Sequence, residues 1–518
     1  MMLKLHVRAC RLKRISPMPP IAGRFISQSS VMAATSEQTV DLKYKQAVSQ
    51  LNSLQSNAQT IMQMREKRQE MLYVNLNETK FYLGALGITD DKLDALNIIH
   101  VSGTKGKGST CAFTESILRE LGLRTGFYSS PHLVHVRERI RINGIPITKE
   151  LFARQFFKVY DKIHLASVEA NVSMPAYFKF LTLMAFYTFI EENVDVIVCE
   201  VGIGGEHDCT NVLRKPAVCG ITTLDLDHTS LLGLTIPEIA WHKAGIMKTN
   251  SPCFSVKQSQ EAWQVFKMRA AEKATTIKEC RQFEEYVWSK EVLCQIKTYG
   301  QHQRLNIALA LELARTWFLK MKSTDILKGT TSNGHLSIPP AIEQAILKTH
   351  WAGRNHILKA DNVTYYLDGA HTLKSIECCM DWFNLVLDKD SKDAINILVF
   401  HCTADRDPSN LLSIVASKHS FDSAIFCPTV LQSSVDLRND NTNLNQSTSE
   451  QWQKCLKSKA IWNSLNQKEN GETFECIKKS LDRVQEIAAN NLHVNVLVTG
   501  SLHLVGGVLN FIDPKAAL

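Results

Sequence analysis

The chain has 518 residues, which at about 100–200 residues per domain predicts two to four domains. Its 44% hydrophobic and 21% charged residues exclude a wholly disordered chain, a collagen-like rod and a coiled-coil rod. The net charge of +8 is concentrated in Lys4, Arg8, Arg11, Lys13, Arg14 and Arg24; the remainder has 53 basic against 51 acidic residues, and so near-neutral a body argues against a nucleic-acid binder.

Residues 1–36 are Arg-rich, contain serines and have no acid. That composition predicts a mitochondrial transit segment; a disordered basic tail is the plain alternative. Met32 offers a second start. The expectation is a mitochondrial form (matrix or inner-membrane associated) from Met1 and a cytoplasmic form from Met32. Residues 41–72 read as helical and polar-rich. Strands are predicted at Leu96–Val101, Thr125–Tyr128, Asp195–Val201 and Val218–Leu224, with a helix over Ser109–Leu121. Unbroken apolar strands between helices indicate a parallel sheet covered on both faces. The apolar run Phe180–Ile190 has 11 residues, too short for the roughly 20 that span a bilayer, so stable membrane insertion is not expected.

The Ser, Thr, Asn and Gly of residues 323–340, with Pro339-Pro340, predict a linker. Strands then resume at Val363–Leu367, Ile395–Phe400, Ser423–Cys427 and Val494–Val498. The expected fold is α/β in two domains, 37–345 with a P-loop-type parallel sheet and 346–518 smaller and Rossmann-like. Residues 430–472, rich in Asn, Gln, Ser and Lys, read as a surface insertion. Fourteen cysteines, none in a Cys-x-x-Cys pair or at structural zinc spacing, read as reduced, mostly buried thiols of an intracellular protein.

The first predicted strand runs into Ser102-Gly103-Thr104-Lys105-Gly106-Lys107-Gly108-Ser109, and a helix follows. A triphosphate needs this arrangement: glycines admit backbone N–H groups, the helix N-terminus adds positive potential, and a lysine and a hydroxyl serve the phosphates and Mg²⁺. The strict G-x-x-x-x-G-K-[ST] pattern is not met, because position 101 is Val and Gly108 separates Lys107 from Ser109. Helix capping by Ser109 would explain part of the pattern. Three further strand ends converge on the same edge, at Ser130, at Glu200 and at Asp225, Asp227 and His228. Ligands of open α/β sheets bind at such edges. Singly, Ser130 could begin a turn, Glu200 accept a helix cap and His228 be structural; together they favour a metal–phosphate site.

These motifs stand in order with Arg137-Glu138-Arg139-Ile140, Glu200-Val201-Gly202-Ile203-Gly204-Gly205, His242-Lys243-Ala244-Gly245-Ile246 and Gly300-Gln301-His302-Gln303. Trp351-Ala352-Gly353-Arg354, Asp368-Gly369-Ala370-His371 and Thr499-Gly500-Ser501 follow. The set resembles the folylpolyglutamate synthase family of Mur-ligase-like, ATP-dependent amide-forming ligases over roughly residues 45–515. Lys105, where many bacterial members have Asn, resembles the animal form. The resemblance implies γ-linked addition of L-glutamate to tetrahydrofolate and its polyglutamates through an acyl phosphate, by a monomer using ATP and Mg²⁺, with a monovalent cation as a further candidate.

Carried over by motif, Ser130, Glu200 and His228 are Mg²⁺ ligands. Residues 103–109, Asn306, Arg354 and Asp368 contact ATP, with Asn306 at the adenine. Lys107, Lys243 and His371 are catalytic, and His371 and Ser501 face glutamate. For His371 a helix-start role is the alternative. Bacterial members carry a carbamylated lysine in the position of Lys243, which would make it a carboxylate-like metal ligand; unmodified, it would touch phosphate. His401 and Ala404 depart from the family's Asn and Gly, which puts the loop near glutamate in question. The rivals are dihydrofolate synthase, which adds the first glutamate to dihydropteroate, and a non-catalytic ATP-binding switch.

Overall fold

The computed structural model describes residues 36–515 except 56–67, 301, 328, 330–333, 388–393, 403–405, 433–435, 437, 443–446 and 491–492. The transit segment, Met32, Ala404 and part of the predicted 41–72 helix lie outside the described residues. Within that last stretch, helices cover Ser36–Ser53 and Arg68–Ala85.

The first sheet has eight strands: β1 Ile99–Ser102, β2 Thr125–Tyr128, β3 Ile140–Ile142, β4 Ile145–Pro146, β5 Val196–Glu200, β6 Val218–Ile221, β7 Cys253–Ser255 and β8 Ile277–Glu279. Their order is β4-β3-β2-β5-β1-β6-β7-β8. The six strands from β2 to β8 run parallel, whereas β3 and β4 add an antiparallel hairpin at one edge. The four strands predicted from sequence are the central ones, buried along their whole length because helices cover both faces. The four missed strands are two or three residues long, too short to carry a periodic signal. Helix Tyr177–Glu191, which contains the apolar run, is buried within this domain. No helix among the described residues is long and apolar enough to cross a membrane.

The segment 323–340 is not a free linker. Ile326, Leu327, Leu336 and Ile338 are buried in the first domain's core with Ile342 of helix Pro340–Lys348. Leu336–Ser337 (β10) also pairs in parallel with Tyr286–Val287 (β9). Polar neighbours mask these four apolar anchors in the sequence.

The second sheet comprises β11 His356–Ala360, β12 Val363–Leu367, β13 Ile395–Phe400, β14 Ser423–Phe426, β15 Gly471–Thr473 and β16 Val494–Thr499. The order is β11-β12-β16-β13-β14-β15, parallel except for β11 at one edge. The 430–472 segment is more than a surface insertion. Its helix Thr448–Asn466 buries Gln451, Cys455, Ser458 and Trp462, and β15 completes the sheet. The thirteen described cysteines are all free, and eleven are buried.

Candidate functional site

The carboxyl ends of β1, β2, β5 and β6 meet at one edge of the first sheet. The loops there are tied to one another: Ser102 Oγ donates to Gly204 O at 2.7 Å, and the Thr104 and Lys105 amides donate to Thr223 O at 3.0 and 3.1 Å. Two glycines make the loop after β1 possible. Gly103 has φ +143°, and a Cβ there would lie 1.8 Å from Thr222 Oγ1. Gly106 has φ +90°, and a Cβ would lie 2.1 Å from Asn306 Oδ1. Gly106 is the N-cap of helix Lys107–Glu120 and offers no side-chain cap, so the helix presents its first-turn amides outward. Uncapped amides and the helix dipole together favour an anion.

Lys107 stands over this turn, with Nζ 4.0 Å from Glu200 Oε1. The other Glu200 oxygen accepts the Ser130 N–H at 3.1 Å. Burial pushes the Glu200 carboxyl up, against the pull of the Lys107 ammonium. A cation placed beside Glu200 would keep it ionised. His228 is exposed at φ +50°, just beyond Asp227. Among the described residues no three His, Cys, Asp or Glu side chains form a metal cluster. The expected set contains only Glu200 and His228 of those types, with the Ser130 hydroxyl as a third donor. Such an open set fits Mg²⁺, which takes few protein ligands and completes its shell with phosphate oxygens and water.

Lys243 is 3% exposed and donates to Gly103 O at 2.7 Å, so it braces the loop from beneath. Burial, then the Lys107 charge, push its ammonium well below the usual lysine range. Asn306, expected at the adenine, backs the loop: its side chain donates to Gln303 Oε1 at 2.8 Å behind Gly106.

The second domain closes on this edge through a charged cluster. Lys105 Nζ donates to Asp227 Oδ2 at 2.9 Å and meets His371 Nε2 at 2.8 Å. Arg406 donates to Asp227 Oδ1 at 2.8 Å, and the Thr372 hydroxyl to Asp225 Oδ2 at 2.9 Å. His371 Nδ1 bonds Gly369 O at 2.7 Å, which leaves Nε2 as the acceptor facing Lys105. Burial lowers Lys105 to about 8 against the opposing pull of Asp227. Burial alone would raise the Asp227 carboxyl, but the positive charge of Lys105 beside it holds it well below the carboxylate range.

Arg354 is half-buried and lines a cavity with Ser129, Pro131 and Leu133, beside the end of β2. Asp368 is committed locally: its two oxygens accept the Asn355 and Ala370 amides, each at 2.9 Å. It shapes the turn that carries His371. Ser501 follows β16, and its hydroxyl is buried without a hydrogen-bond partner among the described residues. His401 is buried, with Nδ1 3.6 Å from Cys455 Sγ. Sequence reasoning placed Asp227 with Asp225 and His228 at the strand-end edge but gave it no partner, and it gave Arg406 no role. Their signal was a charge at a strand end and another in a loop, without a motif linking them.

No protein-family model matches the chain. Mycobacterium tuberculosis folylpolyglutamate synthase, solved with ADP and AMPPCP, superposes with a TM-score of 0.67 at 20% identity, covering 88% of this chain and 98% of that one. The fold is therefore that of a two-domain α/β protein whose first sheet ends in a glycine-rich phosphate-type loop facing the second domain. A bovine protein named mitochondrial folylpolyglutamate synthase is 38% identical over 550 residues, covering 92% of this chain and 94% of its own. A Caenorhabditis elegans protein of the same family name is 46% identical over 477 residues, 90% of this chain and 92% of its own. The chain belongs to the folylpolyglutamate synthase family.

Proposed function

We propose that the protein is an ATP-dependent ligase that lengthens tetrahydrofolates by γ-linked glutamate. A carboxylate is a poor electrophile, and phosphorylation gives it a leaving group. The folate carboxylate oxygen attacks the γ-phosphorus of ATP and ADP leaves; the glutamate amine then attacks the acyl carbon, phosphate leaves and the amine loses a proton. Lys107 and the first-turn amides stabilise charge on the phosphoryl group. Ser130, Glu200 and His228 hold Mg²⁺, which supplies Lewis-acid stabilisation of the phosphate oxygens when bound. Lys243 and Asn306 hold the loop in shape, Asn306 next to the adenine. Arg354 approaches the nucleotide, and Asp368 sets the turn that places His371. His371 and Ser501 face glutamate.

The observation that carries this reading is the meeting of the two domains at the phosphate loop. The Lys105–Asp227–His371–Arg406 cluster brings second-domain residues to the strand ends that hold phosphate. Closure of this kind excludes water from an acyl phosphate that would otherwise hydrolyse. The test is incorporation of labelled glutamate into tetrahydrofolate and, in parallel, into dihydropteroate. Labelling of tetrahydrofolate is expected; labelling of dihydropteroate alone would make the protein a dihydrofolate synthase, and labelling of neither would make it an ATP-binding switch.

The acid-free start and the mitochondrial name of the bovine relative support import of the form starting at Met1, with a cytoplasmic form from Met32. Tagged chains beginning at the two methionines should separate between mitochondria and cytosol. Identical distributions would contradict this.

A further inference from the structure

We propose that Asp440 is a positioning residue that holds the loop presenting Ser130 to the metal and phosphate. The proposal rests on the reading of Ser130 as a Mg²⁺ ligand. Asp440 lies in the polar stretch of the second domain, yet it sits half-buried against the first. Its carboxylate accepts the Val136 N–H at 2.8 Å and the Tyr44 hydroxyl. Its carbonyl meets His132 Nε2 at 2.9 Å. His132 Nδ1 accepts Arg139 Nε at 2.9 Å, so Nε2 carries the proton and donates to Asp440.

Neighbouring contacts make this a strap. Asn441 Nδ2 donates to Val134 O at 3.2 Å, while Asn52 and Gln55 of the N-terminal segment donate to the carbonyls of Asn439 and Thr442 at 3.0 and 2.8 Å. The strap thus ties the loop to both domains at once.

The gripped loop has two ends with different attachments. At one, the Ser130 amide bonds Glu200. At the other, Leu133 and Val134 are buried in the second domain's core. Helix Leu502–Ile512 packs so closely that a Cβ on Gly506 would lie 2.1 Å from Leu133 O. A shift of the second domain therefore pulls on the Ser130 turn directly, and Asp440 fixes that connection at two points, its carbonyl at His132 between the two ends and its carboxylate at Val136 just beyond the second. Burial would raise the Asp440 carboxyl, but hydrogen bonds from His135 and Tyr44 outweigh it and keep the group ionised.

The test is the Mg²⁺ dependence of the initial rate at saturating ATP, tetrahydrofolate and glutamate. It uses the full chain with Asp440→Ala, Asp440→Asn or Ser130→Ala, and a thermal unfolding curve for each. Asp440→Ala should raise the half-saturating Mg²⁺ concentration about tenfold, the scale of loss when a group that orients a metal ligand is removed. Asp440→Asn, whose amide oxygen still accepts one N–H, should fall between Asp440→Ala and the native chain, and it serves alone if the alanine variant does not fold. A purely structural role would lower the unfolding midpoint without moving the Mg²⁺ requirement, and that result overturns the proposal. Ser130→Ala separates the two claims. If it raises the requirement while the Asp440 variants do not, Asp440 has no positioning role and the ligand reading stands. If only the Asp440 variants raise it, Ser130 is not the ligand and the route through it is wrong.

Discussion

Lys107 and Lys105 are two residues apart, yet their surroundings assign them different work. Lys107 has one distant carboxylate at 4.0 Å and faces the uncapped helix turn. Lys105 is bound by Asp227 of its own domain and by His371 across the domain junction. Lys107→Ala should therefore lower turnover by about 100- to 1,000-fold, the usual scale for losing one donor to developing charge. Its thermal unfolding midpoint should stay at the native value, because no close contact is lost. Near-native turnover in a folded variant would remove Lys107 from the chemistry. The place of Lys107 on a strand–loop–helix turn was legible from a strand, three glycines and a helix start in local order. The cluster around Asp227 was not, because its hydrogen-bonded members are up to 266 positions apart and no local pattern joins them.

At the scale of elements, the central strands and the helix after the phosphate loop were readable from apolar runs. Helix Thr448–Asn466 was not, for a physical reason. Its buried positions, Gln451, Cys455, Ser458 and Trp462, recur at helical spacing, but two of the four are polar. Apolar periodicity is therefore invisible, although Gln451 is satisfied by accepting the Thr429 amide and hydroxyl, each at 2.9 Å. Trp462 is 0% exposed, and Trp462→Ala should cost about 3–5 kcal/mol by the transfer and cavity terms. Chemical denaturation would measure it; a loss under about 1 kcal/mol, as at an exposed site, would restore the surface-insertion reading. The four buried apolar residues of 323–340 were hidden in the same way, by the polar residues between them.

At the scale of the whole molecule, packing sets the acid limit. His100 and His401 are buried, and burial pushes each down to about 3 from the ordinary 6.5. Between those values the unfolded chain binds protons that the folded chain refuses, so these groups make stability rise with pH. Their contribution is complete above 6.5 and is lost as pH falls toward 3. Thermal midpoints taken from about pH 7 to about pH 5 should decline, and His100→Gln should show a shallower slope whatever its absolute level. An unchanged slope would mean that His100 is already protonated in the fold.

The two-domain layout was legible because each sheet announces itself by buried parallel strands. How the domains meet was not, since the meeting depends on side chains from distant loops. On the proposed reading, that meeting couples the phosphate loop to the second substrate: ATP should be consumed only when folate and glutamate are both in place. The direct measurement is phosphate release from ATP and Mg²⁺ by the full chain, with tetrahydrofolate and glutamate added singly and together. Release that requires both, in step with a folate product heavier by one glutamyl unit, is the expected result. Release at the same rate without glutamate, and with no change in folate mass, would contradict the assignment.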